Sequence, residues 1–280
     1  MIEPPQSPSP SRSFLARTFN PGLLDVFRMG IRRTYAFRTW LYLGILQVFF
    51  QLLLVKAIWK AVYGNAGEVN GVSVNTMITY LTVVGMINFM IYPIIADEIH
   101  TRIDDGQVAI DMVRPIGFIR QMLALELGNS IGRWMLLVVV VPGLLLLGSL
   151  TPPSPEAFAV FLLSFALAFA VSIQIWLLVG LSAFWLLNIG GMRSMVGLIG
   201  GFFAGSLIPL WFMPGPLRTI SEWLPFQAIA YLPASIYTEQ ATGAAMWRAI
   251  GIQAFWLVLL GIAVGRVWHR AQNRLVVQGG

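Results

Sequence analysis

Few residues in this chain are equipped for chemistry. His100 and His269 are its two histidines and there is no cysteine. No H-E-x-x-H spacing surrounds the histidines and no carboxylate cluster lies on an apolar stretch beside them, so a metal site lacks its ligands. Ser206 stands outside any G-x-S-x-G turn, which removes the usual setting for a hydrolase nucleophile. G-x-x-x-x-G-K-[ST] is missing as well, so the chain has no P-loop to cradle a nucleotide phosphate. The expectation is a protein that is not an enzyme, with no catalytic residue, no metal and no cofactor of its own.

Two groups of polar residues remain. The stretch from Asp97 to Arg120, DEIHTRIDDGQVAIDMVRPIGFIR, is the densest charged patch and carries both signs. Ile99 and Ile103 are four apart, hence on one face of a helix, and Asp104-Asp105-Gly106 ends that helix with a glycine suited to positive φ. A second short helix over 107–113 must stop where Pro115 disfavours helix for Arg114. Glu98, the two isoleucines and the acidic pair give a mixed-charge face of the kind that docks into a groove on a soluble partner. The plainer alternative is a solvated connector. Glu126 and Arg133, seven apart, share a helical face and offset each other's charge if buried; the reading preferred here makes them ordinary surface charges on a helix that outruns the membrane.

The elements that position these residues follow from where charge is missing. Windows 39–55, 69–96, 134–155, 157–192, 194–217 and 249–265 contain no Lys, Arg, Asp or Glu. A hydrocarbon core roughly 30 Å thick needs about 20 apolar residues per helix, so the windows read as six membrane crossings of an all-α integral membrane protein. The spans are expected near 39–62, 74–96, 119–149, two within 157–217 separated by a turn at Asn188–Arg193, and 247–266. Residues 1–20 are Pro/Ser-rich and expected to form a disordered tail. Residues 21–38 place Leu24, Phe27, Ile31 and Tyr35 on one arc, the pattern of an interfacial helix; a plain basic flank is the alternative. Between the fifth and sixth spans, Pro214, Pro216, Pro225 and Pro233 interrupt an apolar run that is too broken to cross and too apolar for water, so it should re-enter the outer leaflet.

The net charge of +6 is a matter of membrane side, not of a nucleic-acid face. Arg12, Arg17, Arg28, Arg32, Arg33, Arg38, Arg102, Arg114, Arg120, Arg193, Arg266, Arg270 and Arg274 fall on one side, against Lys56, Lys60, Arg218 and Arg248 on the other. The positive-inside rule makes both termini and the 97–121 loop cytoplasmic.

Glu98, Ile103, Gly106 and Arg114-Pro115, followed by Pro209-Leu210-Trp211-Phe212-Met213-Pro214 and Leu224-Pro225-Phe226, resemble the permease subunits of ABC-2-type exporters. Within that family the chain is most similar to the bacterial six-helix permeases of the viologen- or multidrug-exporter-like subgroup. The resemblance covers nearly the whole chain and makes 21–280 a single transmembrane domain in a bacterial inner membrane. It implies that Glu98, Ile99, Ile103, Asp104, Asp105, Gly106, Arg114 and Pro115 form a coupling element for separate ABC ATPase subunits, which would bind the ATP and Mg. It also implies a second permease, identical or similar, because six helices are half of what such exporters use. By the same resemblance the second and fifth spans meet at the permease interface. Asn88, Phe89, Tyr92, Trp211 and Phe212 are then candidates for contact with a hydrophobic, amphipathic or cationic substrate, the plainer alternative being packing aromatics. Small residues between Gly197 and Gly205 would allow close approach of a partner helix. The rival class is an energy-independent transporter or channel, which needs no docking loop.

Overall fold

The structure, a computed structural model, describes residues 21–36, 38–64, 66–69, 71–91, 93–147 and 150–278. The expected N-terminal tail and Tyr92 lie outside them. The described chain is helical apart from loops and a hairpin in which β1 (Glu68–Val69) pairs with β2 (Val72–Ser73). Four stretches are long and apolar enough to cross a membrane: Tyr42–Tyr63, Val74–Asp104, Pro155–Phe184 and Ala244–Arg274. They correspond to the first, second, fourth and sixth expected spans.

Helices α1 (Pro21–Ala36) and α2 (Arg38–Tyr63) come first. Behind the hairpin, α3 (Val74–Met90) starts on Ser73, whose Oγ accepts from the Thr76 amide at 3.2 Å. After a break at 91–94 the chain forms α4 (Ile95–Asp104) and α5 (Gln107–Val113). Gly106 joins them at φ 69°, and Arg114 is extended before Pro115. The glycine and proline therefore punctuate this stretch as their chemistry requires.

The third expected span is not one helix. It divides into α6 (Phe118–Trp134) and α7 (Leu137–Leu146), because at Leu136 the amide bonds Arg133, three residues back, and tightens the turn. Pro142 then removes a donor inside α7. α8 (Pro155–Leu181) is long and regular, with Ser154 capping it and proline at its first turn. The fifth expected span is shortened too. α9 (Gly190–Phe203) has 14 residues and is about 21 Å long at 1.5 Å per residue. It ends at Gly205, φ 74°, and Pro209 and Pro214 restart the chain as a 3-10 turn over Leu210–Phe212 and then α10 (Gly215–Trp223). After a second 3-10 turn at Pro225–Ala228, α11 (Tyr231–Tyr237) leads into α12 (Ala244–Gln278).

α3 and α8 carry the core, in which Met77, Tyr80, Ile87, Ala168 and Leu181 are fully covered together with Ile95 and Ile99 of α4. α2 and α12 lie outside. Tyr42, Leu46, Phe50 and Val62 on the first, and Trp247, Phe255 and Val258 on the second, face outward. In water such surface would drive aggregation; in a bilayer it is the surface that lipid covers.

α1 does not merely float at a surface. Gly30 and Thr34 are its buried positions, and Phe27 and Ile31 flank them half-covered. The helix lies on α6 at backbone contact. A Cβ on Gly128 would sit 2.0 Å from the Phe27 carbonyl oxygen, and one on Gly132 would be 2.9 Å from Thr34. Thr34 Oγ1 donates to Asn129 Oδ1 at 2.8 Å across the seam. Gly128-x-x-x-Gly132 supplies the smooth face that such packing needs.

Candidate functional site

α4 is amphipathic, and its apolar face turns inward. Ile99 is fully buried and Ile103 half-covered, because α8 and the turn after it press against them. Gly180 allows that approach, since a Cβ there would meet Ala96 Cα and Ile99 Cδ1 at 3.0 Å. The two isoleucines expected to face a partner therefore belong to the chain's own core. This corrects the sequence reading, and the reason is tertiary: spacing defines a face but not what covers it.

The charges of α4 are also turned to internal work. Asp97 accepts from Arg193 of α9 at 2.5 Å, and Glu98 accepts from Arg33 of α1 at 2.5 Å and from Arg102 at 2.9 Å. Arg102 continues to Asp111 of α5, which also receives Arg114 at 3.1 Å. Gln121 of α6 holds the next turn, donating to the Asp111 carbonyl at 3.1 Å and the Ile116 carbonyl at 2.7 Å. Among the described residues His100 pairs with Asp104, at 3.3 Å. Among the described residues no group of three or more His, Cys, Asp or Glu stands close enough to hold a metal.

Glu126 is the deepest member of this network. Its side chain is 1% exposed, and that of Arg133, at 3.3 Å, is 11% exposed. The expectation that both are surface charges is thus overturned. One Glu126 oxygen takes hydrogen bonds from Ser130 at 3.1 Å and from Arg133; the other accepts from the Ile94 amide at 2.9 Å. Ile94 is the residue from which α4 starts. A carboxylate there satisfies an orphan amide and faces the positive end of the helix dipole. Glu126 therefore ties the first turn of α4 to α6.

What remains outward on this element is different from what spacing suggested. Asp104, Asp105, Gly106, Arg114 and Pro115 are exposed, and between them Ile110 (64%) and Val113 (87%) stand clear of the protein. Both were legible as an apolar pair three residues apart in 107–113, beside the pair Ala109 and Met112.

The proposed path residues separate. Asn88 borders a cavity of about 680 Å³ between α3, α8, α9 and the turn at 225–229, where its amide donates to Ser206 Oγ at 3.3 Å. Ser172, Trp176, Arg193 and Phe226 also line it. Phe89 instead packs on α2, its ring 3.1 Å from where a Cβ of Gly44 would lie. Trp211 sits in an aromatic cluster with Tyr80 (4.6 Å between centroids) and Tyr231 (5.7 Å), and Phe212 faces Trp59 at 5.8 Å. Trp211 and Phe212 are packing aromatics in this arrangement. Sequence reasoning missed Gln253, fully buried on α12. Its amide donates to the carbonyls of Ser164 at 3.0 Å and Ala228 at 2.8 Å and accepts from Ser164 Oγ at 2.9 Å, so it hooks the turn at 225–228 onto α8.

Residues 46–279 match the family described as ABC-2 family transporter protein. The chain belongs to the ABC-2 transporter family. That family consists of membrane transport components, and it places the chain among multi-pass permeases. No curated protein matches the chain.

Proposed function

We propose that this ABC-2 permease is the membrane subunit of an ATP-driven exporter of the viologen- or multidrug-exporter-like kind, in a bacterial inner membrane with both termini cytoplasmic. Separate ABC ATPase subunits bind ATP and Mg and dock on α4–α5. The observation that carries this reading is the contrast within that element: an outward tip of Ile110, Val113 and Pro115 on a base whose charges are matched internally. Apolar side chains ringed by Asp104, Asp105 and Arg114 have the composition of a small interface core with a polar rim. The base packs on α8 and links to α9 through Arg193, two elements that border the cavity, and it is tied to α1 through Arg33 and to α6 through Glu126, so displacement of the tip is carried toward the cavity. α4–α5 acts as a lever.

Six crossings are part of this reading, the third made by α6 with α7 and the fifth by α9 with the chain that follows it. The segment over 205–240 then enters the outer leaflet, its 225–237 stretch covered by α3, α8 and α12. Two permeases, identical or similar, enclose the path. The cavity lining carries Arg193 and no carboxylate, so hydrophobic and amphipathic substrates fit it better than cationic ones.

The test is reconstitution of the chain with the ATPase that co-purifies with it. ATP-dependent, vanadate-sensitive accumulation of an amphipathic dye in inverted vesicles is expected. Equal transport without ATP or without the ATPase would instead establish the energy-independent transporter.

A further inference from the structure

A second cavity, of about 450 Å³, lies away from the first, between α12 and the junction of α5 with α6. Met112, Phe118 and Ile119 line it from the α5–α6 side and Gly261, Val264, Gly265 and Trp268 from α12; Arg120 and Gln272 are its polar side chains, one from each side. On α12 the lining residues recur at intervals of three and four, so they form one stripe from 261 to 272, about 16 Å long. Trp268 stacks on Phe118 at 5.3 Å and fixes the width of the groove.

Two features say what kind of molecule fits. The groove crosses the level where α12 changes character: 249–265 is free of charge, and Arg266, His269, Arg270 and Arg274 follow. An occupant must therefore be apolar along Gly261–Gly265 and polar beside Trp268 and Gln272. The second feature is Arg120. On the α4–α5 element every arginine has a carboxylate partner: Arg102, Arg114 and the incoming Arg33 and Arg193. Arg120 has none within 4 Å among the described residues, and its guanidinium folds over Gly117 at the uncapped start of α6. The exposed Arg120 fork and the uncapped first turn of α6 both border an otherwise apolar slot. Arg266, Arg270 and Arg274 lie on the far side of α12, about 140° to 220° around from Gly261 at 100° per residue, and cannot reach it.

We infer that the groove between α12 and the α5–α6 junction is a binding site for one anionic phospholipid, its phosphate on Arg120 and Gln272 and an acyl chain along Gly261, Val264 and Gly265. A membrane supplies this amphipath at the required depth.

Binding of phosphatidylglycerol and phosphatidylcholine to delipidated, detergent-solubilised protein, counted by native mass spectrometry, tests the site. The first bound phosphatidylglycerol should be preferred about fivefold, the effect of one basic residue at an anionic surface. Arg120→Gln should abolish that preference while leaving phosphatidylcholine binding unchanged. Gly265→Leu, which points into open space and should fold normally, should weaken both lipids by filling the slot. Arg270→Gln, on the other side of α12, should change neither. The site is refuted if the preference survives Arg120→Gln, if Arg270→Gln removes it equally, or if Gly265→Leu leaves lipid binding untouched. Displacement of the lipid by millimolar inorganic phosphate alone would also refute it, since a free anion would then be the ligand.

Discussion

Around α4–α5, carboxylates and guanidinium groups join α1, α5, α6 and α9, whereas over 205–237 rings and neutral hydrogen bonds do the joining: Tyr80 meets Trp211 and Tyr231 edge-on, Tyr80 Oη donates to the Gly205 carbonyl at 3.0 Å, and Gln253 holds Ala228. The outer pairs, Arg33–Glu98, Arg193–Asp97 and Arg114–Asp111, are partly exposed, and such pairs are individually weak and easily exchanged for others. Aromatic packing combines a large buried area with preferred edge-to-face geometry, and it is lost when its rings separate. The charged region is suited to re-pairing as a partner arrives, and the aromatic region to staying closed while the rest moves.

The largest effect should come from the seam beneath the charged region. Gly128→Val places side-chain atoms where the Phe27 carbonyl already lies, so α1 must lift off α6, at a cost of about 4 kcal/mol or more. Thermal unfolding in detergent should show a collapse in stability, while Gly191→Ala, which meets open space, should leave it unchanged. Next comes Glu126→Ala, which leaves Arg133 buried without its carboxylate and the Ile94 amide without an acceptor; breaking such a pair costs about 3–5 kcal/mol. The double variant Glu126→Leu/Arg133→Leu should recover most of that stability yet lose transport, because the tie from α6 to α4 is gone. Recovery of transport as well would mean that the tie has no role beyond the fold. A smaller loss, about 1–3 kcal/mol, is expected for Gln253→Ala, which leaves buried groups of Ser164 and Ala228 unpaired. Its signature is local: faster hydrogen exchange over 225–237 with 95–113 unaffected. If both segments loosened together, the two regions would not be independent.

How much of this was legible varies by residue. The helix–turn–helix at 95–113 was readable because Gly106 tolerates the positive φ that ends a helix and Pro115 pushes Arg114 out of helical conformation. The inward face of α4 was not, because Ile99 and Ile103 share a face with or without α8 to cover it. Charge-free windows measured apolar length but said nothing of continuity; Gly205 was a visible signal that the fifth span stops short, whereas the break at 135–136 in the third carries no glycine or proline, Pro142 falling inside α7. The approach of α1 to α6 was written in Gly128-x-x-x-Gly132 and passed over in favour of the glycines at 197–205, of which Gly200 faces Phe226 inside the protein. The burial of Glu126 depended on three partners from two elements, information that no single stretch of sequence contains.

The central claim is that Ile110 and Val113, and not Ile103, are the apolar contacts offered to an ATPase. Charged substitutions at the two exposed positions should leave folding intact, since neither side chain is buried in the chain. Affinity for the ATPase, measured by titration against the permease in nanodiscs, should fall at least tenfold for Ile110→Asp/Val113→Asp, in keeping with loss of an interface centre worth about 2 kcal/mol or more. Full affinity in that variant, with its melting temperature unchanged, would contradict the docking role of α4–α5.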